Sequence, residues 1–135
     1  MSLWQAQLSA RPLWMQPLLL FCLYMAVVYM PWDIFVKPVA QDQEVWFGYV
    51  FTGWAAKVTA PLHWLVYGAG AWGFWHMKRW MWPWAALYCA QVAFGMVVWV
   101  VLYRSETPVY FIVLIGLLFV ALAWALHKAR SVFAN

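Results

Sequence analysis

Few residues in this chain have the types and spacing to do chemistry: three histidines, four acids, and a handful of polar groups set inside apolar runs. His76 and His127 each close a long apolar run. Two such runs crossing a membrane in the same direction would bring the imidazoles to one depth, as a haem b held by two histidines between helices requires. Each is followed by basic residues, Lys78 and Arg79 in one case and Lys128 in the other, which is the plainer pattern of a membrane-surface flank. His63 lies near the start of the run that His76 closes, where it would pair with Asp33 or Glu106 in a pH-sensitive contact or serve simply as a satisfied structural histidine. Asp33, Asp42, Glu44 and Glu106 form an acidic group that would hold a metal only if their loops converge. The expectation is a solvated loop without metal, Asp42 capping a helix and Glu44 near its positive end.

Polar groups inside the apolar runs carry the rest of the argument. No Asp, Glu, Lys or Arg falls in the middle of any run, so the buried carboxylate that proton-coupled exporters generally need as a proton carrier is absent. Gln91 is the most isolated polar residue. An interhelical hydrogen bond, worth ~0.6–2 kcal/mol, is its expected role, with a ligand contact as the alternative. Trp72 and Trp99 are expected to lie deep and to pack between helices. Cys22 and Cys89 both fall in apolar runs, and no C-x-x-C pair or Cys/His cluster marks a zinc site or disulfide framework. No Ser/His/Asp ordering, glycine-rich phosphate loop or H-E-x-x-H pattern is present, so no catalytic residue is assigned and the chain leans away from enzymes.

The elements that must position these residues follow from composition. Of 135 residues, 68% are hydrophobic and 9% charged, and the mean hydropathy is +0.74. A soluble domain runs near half apolar and a quarter charged. Thirteen Trp, seven Tyr and nine Phe exceed what one water-soluble core of this size can bury. Disorder is excluded as well, since it needs low hydrophobicity. An all-α integral membrane protein is the result, a single domain with four transmembrane helices in an antiparallel bundle. Crossing ~30 Å of hydrocarbon takes about 20 apolar residues, and four stretches qualify: about 13–30, 58–77, 84–103 and 109–126. Pro31, Pro83 and Pro108 stand at expected helix ends, Pro17 in an opening turn, and Pro61 in the first turn of the second span beside a Thr59 N-cap. Residues 45–56 are also apolar and are expected to form an interfacial helix or segment before the second span, a re-entrant loop being the alternative.

Small residues four apart predict where helices meet. Ala69, Gly70 and Gly73 in the second span and Ala86 and Ala90 in the third would let backbones approach closely, making a tight hairpin of these two spans. The fourth span, rich in Leu, Val and Ile, is expected to face lipid or a partner. Arg11, Lys78, Arg79, Lys128 and Arg130 fall on one side of the expected topology, which places both termini in the cytoplasm of a bacterial inner membrane. Scattered basic residues, with a net charge of +4, give no nucleic-acid surface. Expected partners are the lipid bilayer and other membrane subunits or further copies of the chain. The functional expectation is a structural or accessory subunit of a membrane assembly. A homo-oligomeric transporter or channel for a small neutral or cationic molecule is the alternative, and a haem-binding redox anchor the third reading.

Overall fold

A computed structural model describes residues 1–103 and 108–135. Glu106 of the expected acidic group therefore lies outside the described residues. The chain opens with a short helix, α1 (Leu3–Ser9), started by a reciprocal capping box between Ser2 and Gln5. The first long helix, α2 (Leu13–Phe35), carries Pro17 in its opening turn, where a missing N–H costs little. It does not stop at Pro31 as expected. Proline in a helix interior lacks a donor and crowds the carbonyl four residues back. Here Met25–Tyr29 widens into a π turn, with the Met30 N–H bonding to the Met25 carbonyl, and this lets the helix run on to Phe35. Asp33 thereby belongs to the last turn of α2.

The segment expected as an interfacial helix is a β-hairpin. β1 (Gln43–Trp46) pairs antiparallel with β2 (Tyr49–Thr52), with Glu44 opposite Phe51 and Val45 opposite Val50. Its two-residue loop, Phe47 and Gly48, has positive φ at both positions, 52° and 86°, the condition that a primed hairpin turn imposes. The run VWFGYVFT is β-branched and aromatic around a turn glycine, and its burial alternates, Glu44 in and Val45 out. Period two, with strand-forming residue types, prevails over the interfacial-helix reading.

The next helix, α3 (Gly53–His76), starts earlier than expected, so its 24 residues span ~36 Å and Pro61 is interior rather than first-turn. Thr59 is not its N-cap either. Its hydroxyl donates to the carbonyls of Ala55 (2.8 Å) and Ala56 (3.1 Å), one turn back. Met77, with φ 50°, ends the helix in the left-handed region. α4 (Met81–Tyr103) is regular from Pro83 onward, Trp82 being extended as a residue before proline prefers. α5 (Val109–Lys128) begins after Pro108, and a short 3-10 turn, Arg130–Val132, leads to the C-terminal residues.

Three of these helices, α2, α4 and α5, are long and apolar enough to cross a membrane. α3 matches them in length, but its Gly, Ala, Trp and His content makes it less apolar. The chain is thus mostly helical with three apolar spans among the described residues, and the molecule has the character of a membrane protein.

Packing departs from the expected hairpin of the second and third spans. α2 packs on α3, and α4 packs along α5, while α3 and α4 touch only slightly. Gly70 faces α2, where an added Cβ would lie 2.9 Å from Cys22 Sγ, and Gly73 faces Met81 and Trp80 at the turn. Ala86 and Cys89 are buried in a core with Leu126 of α5, whereas Ala90 is exposed. Small residues permit close approach without enforcing it. Tyr67 of α3 and Tyr88 of α4 meet through their hydroxyls at 3.3 Å, and two rings facing each other hold these helices apart. α5 is correspondingly less free than expected, with Ile112 and Leu126 buried, Ile115, Phe119 and Leu122 half-buried, and Leu114, Leu117 and Leu118 exposed.

The two pairs are joined at their ends. At one end Met15, Leu19, Phe74, Met77, Met81, Leu126 and Phe133 form a shared core. There the buried Arg11 guanidinium donates to the carbonyls of Phe74 (3.0 Å) and Trp75 (3.0 Å), satisfying the last turn of α3. Asn135 bonds to Met77, His76 and Arg79, so both termini gather at this end. At the other end the hairpin bridges the pairs.

Candidate functional site

Two features stand out, a buried charged cluster at the hairpin end and a cavity beneath it. Asp33, on the last turn of α2, and Asp42, entering β1, are each 1% exposed, and Glu44 is buried on β1. One ligand oxygen from each lies within 4.8 Å of the others. The loops therefore converge, and the solvated-loop expectation for Asp33, Asp42 and Glu44 is overturned. Asp42 sits in extended backbone before a strand, and its side chain caps no helix, while its carbonyl accepts the Gly53 N–H at the start of the next helix.

Cations among these acids come from lysines. Lys37 Nζ is 3.0 Å from Asp33 Oδ1 and 3.7 Å from Asp42 Oδ1, and Lys57 Nζ is 3.1 Å from Asp42 Oδ2. Lys57 also donates to the carbonyl oxygens of Asp33 and of Lys37, the latter at 2.6 Å, and so ties the start of α3 to the end of α2. Burial of Lys37 works against its charged form, but the hydrogen bond and charge of Asp33 outweigh this and hold its pKa above the ordinary value. Asp33 Oδ2 and both Asp42 carboxylate oxygens accept no geometrically good hydrogen bond, so these acids depend on the ammonium charges.

His63 completes the cluster from α3. Its Nδ1 meets Glu44 Oε2, rather than Asp33 as expected, and Trp46 stacks flat on the imidazole with ring centroids 3.7 Å apart. Burial is the main cause that raises the Glu44 pKa. The bond and charge of His63 pull it down, and the neighbouring Asp33 adds to the rise. Three carboxylates against two ammoniums leave one negative charge over. One proton on the Glu44–His63 pair would cancel it.

Between the helix pairs lies a cavity of about 480 Å³, within the range of small-ligand sites. Its walls are mainly apolar: Leu18 and Phe21 from α2, Val66, Ala69 and Gly70 from α3, Ala85 and Leu87 from α4, and Phe119 and Leu122 from α5. Trp46 and Phe47 of the hairpin line its upper end. Gln91 lines it too, and the expected interhelical hydrogen bond is absent: its amide has no protein partner among the described residues. Trp46 Nε1 is buried without an acceptor among the described residues. Tyr67 and Tyr88, bonded to each other, also line the cavity, so Gln91 is a polar group without a protein partner on a mainly apolar surface.

The remaining candidates lie elsewhere. Trp72 is 58% exposed on the outside of α3, so it does not pack between helices, and its ring tilts against His76, 4.0 Å away. Trp99 rests against Tyr103 at 4.9 Å and does not line the cavity. His76 Nδ1 lies 3.1 Å from the Trp72 carbonyl oxygen, and His127 sits beside Trp82, at 5.7 Å. Each of these histidines thus has its own aromatic neighbour.

Lys37, Lys57, Trp46 and Arg11 are the site and frame residues that sequence reading passed over. The spacing of Asp33 and Lys37, four apart at a helix end, was the available signal. Compared with protein families, curated proteins and solved structures, the chain matches none.

Proposed function

We propose that this chain is an inner-membrane protein crossing the bilayer four times, with both termini in the cytoplasm, that binds an uncharged, largely apolar small molecule in the cavity between its two helix pairs. The observation that carries the reading is Gln91: an amide with no protein partner among the described residues, on the wall of a mainly apolar cavity. Such an amide offers both donors and an acceptor to a molecule in the cavity. It suits a molecule bearing carbonyl or hydroxyl oxygen on an apolar body. A cation is disfavoured, because no carboxylate lines the cavity.

Support for four crossings comes from the ~36 Å length of α3 and from the gathering of both termini at one end, as an even number of crossings requires. Arg11, Lys78, Arg79, Lys128 and Arg130 belong to that end, the pattern of a cytoplasmic face. The activity that fits is carriage or storage of the molecule, as in the transporter class, with no catalytic residue at the cavity. A role as subunit of a larger assembly is the second reading, favoured by the exposed row Leu114, Leu117 and Leu118 on α5.

Mass spectrometry of organic extracts from purified protein tests the first reading. A stoichiometric neutral molecule in the native chain, lost from Ala69→Phe, supports it. An extract indistinguishable from bulk membrane lipid in both proteins overturns it.

A further inference from the structure

The hairpin closes the cavity at one end, and its two attachments differ in kind. On the α4 side it is held by shape. Gly48 lies against Gly95, where an added Cβ on Gly95 would come within 3.0 Å of the Gly48 nitrogen, and Tyr103 accepts a bond from the Val50 N–H at 3.1 Å. On the α3 side it is held by Glu44 on His63 and by Trp46 stacked on the same imidazole. Trp46 is also a cavity wall, so whatever governs the Glu44–His63 contact governs the position of that wall.

We infer that Glu44 and His63 form a proton-binding site that latches the hairpin over the cavity, the proton-loaded pair holding it down and loss of the proton to solvent water releasing it. The inference rests on the cavity reading for its purpose and on the cluster for its mechanism. Among the described residues, the groups facing the pair are Asp33 and Tyr29 from α2, Lys37 and Asp42 from the connection, and Lys57 and Tyr67 from α3. With the lysines engaged by Asp33 and Asp42, the proton on the pair keeps the buried cluster neutral. Removing it leaves an uncompensated charge in a dehydrated site, a state relieved by swinging Glu44 into water. Docking then takes up one proton, and its equilibrium falls by up to tenfold per pH unit as pH rises from the titration of the released groups to that of the docked pair.

Amide hydrogen exchange of the full chain in lipid nanodiscs, corrected for intrinsic rates, tests this from mildly acidic to alkaline pH. Protection of the hairpin amides in the native chain should drop with rising pH by up to tenfold per unit, while α4 and α5 stay level. Glu44→Gln and His63→Gln should each flatten the hairpin profile. A level hairpin profile in the native chain overturns the latch without recourse to any variant, as does a slope retained in both variants. The exchange readout needs no bound molecule. A level profile in a chain that still retains its molecule therefore overturns the latch alone, and a sloping profile in a chain that retains nothing overturns the cavity reading alone.

Discussion

Trp46 and His63 lie ring on ring, their planes 4° apart and their centroids 3.7 Å apart, and this stack joins the β-hairpin to α3. One ring belongs to a cavity wall and the other to a charged cluster, so the polar and apolar halves of the site share a single contact.

Gln91→Leu separates binding from folding. Replacing the amide with a hydrocarbon side chain of similar size should leave the empty protein no less stable than the native chain. The same change should weaken retention of the bound molecule about tenfold, through loss of one hydrogen bond worth about 1–1.5 kcal/mol. Thermal unfolding in detergent and quantified extracts check the two effects on one sample.

Lys57 stands between the end of α2 and Asp42. Lys57→Met should cost about 3–5 kcal/mol, since it strands a buried carboxylate. Adding Asp42→Asn should restore much of the loss, because removing both charges leaves no unpaired one. A double-mutant cycle by thermal unfolding measures the coupling.

Glycine at position 48 is required twice over, by φ +86° and by space: an added Cβ would lie 2.7 Å from Val98 Cβ. Gly48→Ala should cost about 1–3 kcal/mol and release the hairpin, seen as faster amide exchange there. Gly53→Ala, at φ +59° with open space around it, should cost only about 1 kcal/mol.

Arg11→Lys should destabilise the protein by about 1.5–3 kcal/mol even though the charge is kept. The guanidinium reaches the Phe74, Trp75 and Gln7 carbonyls and Gln16 at once, a fork that an ammonium cannot reproduce. A melting temperature unchanged by the substitution would show that the α3 terminus is held by other contacts.

Stability should also depend on pH through Glu44. Its pKa is raised in the folded chain, so its contribution is complete below the ordinary glutamate value and is lost as pH rises through the raised one. Melting temperature measured from mildly acidic to alkaline pH should fall across that window in the native chain and level out in Glu44→Gln.

Much of the helical frame was legible because hydrocarbon imposes length and apolarity on each span: α4 and α5 lie within a few residues of where the sequence put them. Pro31 misled because a π turn upstream absorbs it, and nothing in the local residues demands that turn. The hairpin was missed because residues 45–52 are nearly all apolar, which hides the alternation that Glu44 reveals only once it is buried. Gln91 was singled out for its depth, but whether an amide meets a neighbouring helix or a cavity depends on how far apart α3 and α4 stand. That spacing is set by Tyr67 against Tyr88, a long-range contact with no local signature.

Nuclear Overhauser spectra of the Gln91 side-chain amide protons, in the full chain with its retained molecule in nanodiscs, probe the cavity at its decisive group. Cross-peaks to protons that belong to neither protein nor water are the predicted result. Cross-peaks to water alone, or to protein alone, would contradict it.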